Sequence, residues 1–512
     1  MRGFVLVDMI KVKRPYLYIG VSPLIASFLL FYLGALIALG FIVVSSLVMM
    51  ALLPFDKKSL PRRAIFLVLF LLFAVRIISI SNTIENTNKY LVGKTVKVEA
   101  VITNITYEAQ NYSRYNIQIT QSPEEKAKGV KLNVSARENA KLSVGDRIDA
   151  EIQFLALDNL YKASNYSNGI YYGGEIENYS ISNNKTFSVY TLAGIVRKAV
   201  KNSIKSAVSG DEAAVLSALT IGDKSDVSDR LYRNVRLSGV SHMLVVSGMH
   251  LGILCGALAM FLKNYCKNQK VATAIGILSA VFIAIVCLFH TSILRAGITY
   301  IVFLLGTLLR RNSDSLNSLG FAITLMVFAL PYIIYNVAFM LSVTATFAVI
   351  CPADMLIKTI WPTRVRGVWK KTVKSAGEIL IISACATICT LPVIATYYNY
   401  VTWISPLTNL LANAPVTVGL VVCVVAVIIS LIPFIGKFLS IPLFFISDIC
   451  AKWFIAVVNA IGESGIGTAD IGDHKNIYCF LIAAGFILLV RAVYLHKSKE
   501  RMGISNAKRQ NP

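Results

Sequence analysis

The chain has 512 residues, of which 56% are hydrophobic and only 15% charged. Soluble domains carry about a quarter charged residues, so this composition excludes a chain folded wholly in water and points to lipid as its main solvent. The net charge of +23 suits either nucleic acid or a membrane surface, and its distribution has to decide.

The first apolar tract, Val21 to Leu53, exceeds thirty residues, whereas one membrane-spanning helix needs about 20. It reads as a tight helical hairpin, too long for a cleavable signal peptide and without a convincing cleavage site. Ala64 to Ile80 is a third span. Lys11, Lys13 and Arg14 precede the hairpin and Lys57, Lys58, Arg62 and Arg63 follow it. Basic residues stay in the cytoplasm, so the third helix exits outward. Residues 1–81 are thus an N-terminal membrane segment of three spans.

From 82 to 186 the material changes. "KTVKVEAVI" alternates Val96, Val98 and Ala100 with polar neighbours, the period of a half-buried strand. "YNIQI", "KLNVSA" and "DRIDAEIQF" continue the pattern, broken by "QSPEEKAKG" and by Gly145-Asp146. Five or so short strands predict a small extracytoplasmic β-barrel of OB-like fold. Its twelve Lys/Arg balance twelve Asp/Glu, so it is neutral. That charge balance argues against a strong DNA clamp. Tyr107, Tyr112, Tyr115, Tyr166, Tyr171 and Tyr172 are its candidates for base stacking, although tyrosine is also an ordinary strand and loop residue.

Residues 187–239 read as amphipathic, interfacial helices, beginning with the basic stretch Tyr190 to Ser209. Nine further spans follow within 240–495, near 240–262, 271–290, 293–309, 316–330, 333–351, 377–397, 415–432, 438–460 and 477–494. Counted from an outside β domain, "KNYCKNQK", "LRRNSD", "KTIWPTRVRGVWKKTVK", Lys437 and the basic tail 496–512 all fall inside. Topology therefore accounts for most of the positive charge. The fold class is a polytopic α-helical integral membrane protein of about twelve spans, some broken or re-entrant, with both termini cytoplasmic. All nine cysteines lie at or after Cys255 without metal-ligand spacing, which reads as reduced thiols in apolar segments.

"SHMLVVSGMHLGIL", Ser241 to Leu254, concentrates polar residues in one apolar segment. Ionisable groups in a span are costly and usually face a cavity or a partner. A Ser-Gly pair at membrane depth favours a bend, tolerated where protein or water receives the freed backbone groups. His242, Ser247, Gly248 and His250 therefore line a hydrated path, or they serve a close helix crossing. The histidines are eight apart with no acid between, unlike a zinc HExxH site, and "VVSGM" is not the GxSxG of a serine hydrolase. An intramembrane hydrolase pairing Ser247 with a histidine stays open. "IGDKS" lacks the upstream glycine of a nucleotide-binding loop. No metal or cofactor is expected.

The ordered set of motifs resembles the ComEC family of bacterial competence channel proteins. Gly222, Asp223 and Lys224 fill a Gly-Asp/Glu-Lys/Arg turn, and Gly239, His242, Ser247, Gly248 and His250 fill the run after it. "TSILRAGI" with Arg295 is similar to a Pro-Ser-x-x-Arg-Ala stretch, with Thr291 in place of proline. "DSLNSL", "AFMLSVTAT" and the segment with Pro392, Pro406, Asn409, Asn413 and Pro415 keep the family order, and "NYSNGIYYGGEI" is similar to the end of its soluble domain.

The resemblance implies a channel for single-stranded DNA in the bacterial cytoplasmic membrane during natural transformation. Its partners would be membrane lipid, a separate DNA receptor outside, an ATP-driven translocase in the cytoplasm and other copies of the chain. Many members carry a C-terminal metallo-β-lactamase-like nuclease domain. Only eighteen residues follow Tyr494 here and the histidines total five, so no nuclease or other enzyme activity is expected. Arg295, near the outer start of a span, is the leading DNA-path residue, with an interfacial anchor as its plain alternative. Asp223 and Lys224 gate the mouth or pair with each other in solvent. Asn409 and Asn413, on one helical face, suit a broken or re-entrant helix between Pro406 and Pro415, or interhelical hydrogen bonds. A secondary transporter of a small anion is the third functional class.

Overall fold

The computed structural model describes residues 60–510 except 110–111, 137–141, 183–187, 311–313, 362–366, 399 and 471–475, together with scattered helical positions between 25 and 45. The expected hairpin Val21 to Leu53 lies largely outside the described residues. The chain divides into two units. One comprises residues up to Ala199 with Phe261–Phe339, and the other comprises Val200–Met260 with Met340 onward.

In the first unit, helix α1 (Leu60–Leu91) leads into strands β1 (Thr95–Ala109), β2 (Tyr112–Gln121), β3 (Lys131–Ala136) and β4 (Arg147–Leu155). Helix α2 (Asn159–Ser167) and strand β5 (Tyr172–Ile181) follow. The strands close a barrel in the order β1-β2-β3-β5-β4, antiparallel except for the parallel pair β3·β5. The alternation read in the sequence is the inside of this barrel: Val96, Val98, Ile117, Leu132, Val134, Ile148, Ile152 and Phe154 all pack there. Closure leaves no unpaired sheet edge. Inside the barrel wall Arg147 meets Glu99 at 2.9 Å, both nearly closed to solvent.

Helix α3 (Val189–Lys205) follows the barrel. Next come α4 (Gly210–Ile221), α5 (Asp229–Leu237), the single turn α6 (Ser241–Leu244) and α7 (Gly248–Tyr265). Segment 187–239 departs from the interfacial expectation in one respect. Every residue of α4 from Ala213 to Ile221 is buried, so this helix is part of the core of the second unit. Its residues are small or apolar on all sides, which is the pattern of a fully enclosed helix.

Of the later helices, α8 (Gln269–Val286), α9 (Thr291–Leu308) and α10 (Ser315–Ala329) belong to the first unit. Helix α11 (Val337–Ala348) continues through a π-turn at Pro352 into α12 (Asp354–Ile360). Then come α13 (Val368–Tyr397), α14 (Ser405–Ser430), α15 (Gly436–Ser464) and α16 (Asn476–Gln510). A two-stranded ribbon, β6 (Tyr400–Thr402) with β7 (Thr468–Asp470), ties the start of α14 to the end of α15.

Among the described residues, eight helical stretches are long and apolar enough to cross a membrane, and Gly248–Leu262 and Ser315–Ala329 are shorter apolar helices. Seven of the nine later spans read from the sequence fall on long stretches of this kind, and those near 240–262 and 316–330 fall on the two shorter helices. Large apolar side chains such as Phe438, Phe445, Phe480 and Leu488 stand exposed on α15 and α16. Water would not tolerate such a surface, and lipid would. All nine cysteines are free.

Candidate functional site

The polar segment is built at an interrupted helix. Leu244 ends α6, Val245 turns extended (φ −96°, ψ 128°), and α7 begins at Gly248. The interruption falls beside the Ser-Gly pair expected to bend the chain. Ser247 and His250 then cap the new helix together. Ser247 Oγ accepts from the Met249 amide at 3.2 Å, and His250 Nδ1 accepts from the Ser247 amide at 3.0 Å. This is the reciprocal logic of a capping box, with histidine where glutamate is usual. Because Nδ1 accepts a backbone N–H, the neutral ring carries its proton on Nε2. That nitrogen is buried and has no partner among the described residues. Ser247 Oγ also lies 3.2 Å from Nδ1. The two histidines have different surroundings: His250 is closed off completely and His242 is exposed.

The turn at Gly222 lies against this interruption. Gly222 caps α4 in the left-handed region (φ 72°), and a Cβ there would come 2.9 Å from Val246. Asp223 and Lys224 do not pair with each other. Asp223 accepts from the Ser225 amide and hydroxyl and from Lys201 Nζ at 3.0 Å. Lys201 also meets Asp226, which Lys205 holds at 2.8 Å. Burial alone would raise the Asp223 carboxyl, but the Ser225 hydrogen bonds and the Lys201 ammonium outweigh it and hold it below the ordinary aspartate value. Among the described residues Lys224 has no such partner, and it sits over the Tyr232 ring at 5.9 Å. Its burial pulls its pKa below the ordinary lysine value.

Gly239 joins this region to α14. Its φ is +75°, and a Cβ would meet Ser405 and Thr402 within 3.0 Å, so only glycine fits. Ser405 Oγ donates to the Gly239 carbonyl at 3.0 Å. One turn on, Asn409 Nδ2 donates to Ser405 Oγ and to Ser383 Oγ of α13, while its Oδ1 is buried without a partner among the described residues. Asn413 is half-buried.

The expected break between Pro406 and Pro415 is absent: α14 runs unbroken from Ser405 to Ser430. Pro406 sits in the first turn, where a missing N–H costs nothing. Pro415 deprives the Leu411 carbonyl of its helical donor, and Trp453 Nε1 of α15 supplies one at 3.2 Å.

Arg295 lies in the other unit, in the second turn of α9, and is only 7% exposed. Such burial counts against an interfacial anchor, which needs a side chain reaching the surface, and equally against contact with a phosphate in the closed fold. The start of α9 is fixed by Asn336, whose Oδ1 accepts from Thr291 Oγ1 and from the Phe339 amide, each at 3.0 Å. Asn336 Nδ2 donates to Asn168, after α2, also at 3.0 Å. The barrel is thereby tied to the helix that carries Arg295. Thr291, where the resembled motif has proline, supplies one of these bonds.

The tyrosines separate by environment. Tyr115 is in the barrel core, and Tyr166 and Tyr172 are buried. Tyr166 and Tyr171 cluster edge-on with Tyr332, at ring separations of 5.1 to 6.1 Å. Burial pushes the Tyr171 phenol up to about 12. A base reaches Tyr115, Tyr166 or Tyr172 only if the fold opens. Tyr107 and Tyr112 remain accessible near the β1–β2 hairpin, where Arg114 lies between the rings of Tyr112 and Tyr161. Tyr161, on α2 with Tyr166, joins these accessible rings through Arg114 and is not among the sequence candidates.

A family model described as Competence protein matches residues 219–496. The ComE operon protein 3 of Bacillus subtilis (strain 168) is 24% identical over 321 residues, covering 62% of this chain and 38% of that relative. The chain thus spans well under half the length of the relative it matches. No solved structure matches it.

Proposed function

Since this chain belongs to the competence protein family, we propose that it is a channel passing single-stranded DNA across the bacterial cytoplasmic membrane during natural transformation. The observation that carries the reading is the interruption at Val245–Ser247, inside the matched segment, between the single turn α6 and the apolar helix α7. A strand with one negative charge per nucleotide needs water and donors at membrane depth without firm binding. Ser247, Gly248 and His242 supply a polar wall, while His250 holds the wall in shape by capping α7. Asn409 and Asn413 extend that wall, and the Gly222-Asp223-Lys224 turn stands at its mouth.

On this reading Arg295 meets phosphates once the start of α9 opens, and the barrel is an OB-like domain outside the membrane, an assignment supported by its strand order and parallel β3·β5 pair. Tyr107 and Tyr112 are its stacking candidates. Twelve spans, cytoplasmic termini, an outside DNA receptor, an ATP-driven cytoplasmic translocase and association with other copies complete the proposal. The residues bind and guide a strand, and no bond is made or broken on them.

The test is thiol accessibility in a background with the native cysteines replaced. Cysteines at 242 and 247 should react with membrane-impermeant reagents and be protected by a single-stranded oligonucleotide. Silence at both positions, with normal DNA uptake after replacing both histidines by leucine, overturns the channel.

The Ser247–His250 contact is also the one a hydrolase would use, so a second reading deserves its own test. Covalent labelling of Ser247 by an activated phosphonate would favour a hydrolase over a capping role.

A further inference from the structure

The solvent face of α5 alternates cations and rings. Leu231, Asn234 and Val235 form its buried side, and Tyr232, Arg233 and Arg236 stand on the other. Tyr232 is 42% exposed, with the Lys224 ammonium beside its ring. One turn along, the Arg236 guanidinium lies 5.4 Å from the Tyr400 ring centre and donates from Nε to the Tyr400 hydroxyl at 2.9 Å. Tyr398 follows, with its ring centre 6.2 Å from that of Tyr400. The end of α13 and the β6–β7 ribbon supply these last two rings.

The carboxylates nearest the strip are ion-paired with other cations, and Arg233 meets the charge of Glu463 only at longer range. Asp223 and Asp226 are engaged by Lys201 and Lys205, and Glu463 by Arg230 at 2.7 Å. Among the described residues, Lys224, Arg233 and Arg236 have no carboxylate within ion-pair distance. A half-buried ammonium without a counter-charge is costly, and an arriving anion offsets that cost. Tyr400 takes one N–H of Arg236 and fixes its plane, which leaves the remaining donors for a phosphate.

We propose that Lys224, Tyr232, Arg233, Arg236, Tyr398 and Tyr400 form a receiving strip for single-stranded nucleic acid, with phosphates on the cations and bases stacked on the rings. The proposal rests on the channel reading and deepens it by naming a surface that takes hold of the strand. Stacking tolerates any base, as a strand of arbitrary sequence requires, and a duplex hides the faces that would stack. Tyrosine and arginine also mark lipid headgroup belts. A belt, however, needs side chains free to reach the headgroups, whereas Arg236 is held in place by Tyr400.

The experiment uses the full chain in phosphatidylcholine nanodiscs and a fluorescent thymidine oligonucleotide, followed by anisotropy across salt concentrations. The parent should bind the single strand more tightly than a duplex. R233Q/R236Q should weaken binding at least about ten-fold and reduce the salt slope by about 1.4, or 0.7 per cation. Y232A should weaken it roughly 5- to 100-fold without changing the slope, and Y232F should retain it. R233K/R236K, the mildest change to the fold, should keep the slope and lose less affinity.

A parent that binds while every variant binds equally well overturns the strip and leaves the channel standing. A parent that neither binds the oligonucleotide nor passes it into proteoliposomes overturns both. Loss of binding to phosphatidylglycerol vesicles with unchanged oligonucleotide affinity makes the strip a lipid contact and overturns the proposal.

Discussion

In the joint between the barrel and the 331–339 segment, tyrosine rings meet one another, and Tyr166 and Tyr172 retain only 7% and 4% of their exposure. On the α5 strip the rings of Tyr232 and Tyr400 lie beside cations and Tyr398 packs on Tyr400, and Tyr232 and Tyr398 keep 42% and 38%. Edge-to-face rings add about 0.5–1.5 kcal/mol per pair beyond their burial and close over each other. A ring beside a cation in solvent gains about 0.5–1 kcal/mol and keeps a face open. Lys162 also lies 5.6 Å from the Tyr166 ring, so closure by neighbouring rings, and not the presence of a cation, decides whether a ring holds two segments together or stays open to something from outside. Clustered tyrosines in sequence, such as Tyr166, Tyr171 and Tyr172, therefore fit the first role here. Residues scattered between 224 and 400 assemble the second.

That contrast can be broken most directly by Tyr166→Ala. The loss of a buried ring should cost about 3–5 kcal/mol in unfolding measurements in detergent, with oligonucleotide affinity of the folded fraction unchanged. A cost under about 1 kcal/mol would mean the joint does not secure the barrel. Gly239→Ala comes next, because it forces a side chain into a left-handed residue and against Ser405. About 2–4 kcal/mol of lost stability is expected, read as a lower melting temperature.

Lys201→Met probes the clamp beside Lys224 and should cost about 1–2 kcal/mol at neutral pH. Asp223 is held below its ordinary value, so its stabilisation is complete above that value and fades as pH falls through the lowered one. The difference between variant and parent should therefore shrink in acid, and a gap that widens there contradicts the clamp. Tyr232→Ala should have the smallest effect on stability, within about 0.5 kcal/mol, while its oligonucleotide binding falls. A large stability loss would place Tyr232 with the joint.

The later spans and the barrel strands were legible because each is written in local periodicity: long apolar runs for helices, alternation such as Val96, Val98 and Ala100 for strands. The helix interruption was legible for the same reason, since Ser247 and Gly248 act on the backbone around them. Other features were closed to sequence reasoning. Asp223 bonds a lysine twenty-two positions back rather than its neighbour. Trp453 rescues the carbonyl freed by Pro415 from another helix, so α14 stays continuous. His250 capping Ser247 was within reach as a helix-start pattern, but histidine in place of glutamate disguised it.

The sequence by itself determined that lipid is the main solvent, that a neutral barrel interrupts the apolar spans, and that the family motifs stand in order. Each of these follows from composition or from neighbours within a few positions, where backbone geometry and transfer free energy act locally. Tertiary structure alone decided which polar groups are satisfied, which tyrosines stay open and which cations lack a partner. Those outcomes depend on contacts between distant segments, and a desolvated charge or ring has no fixed cost until the partner that meets it is known.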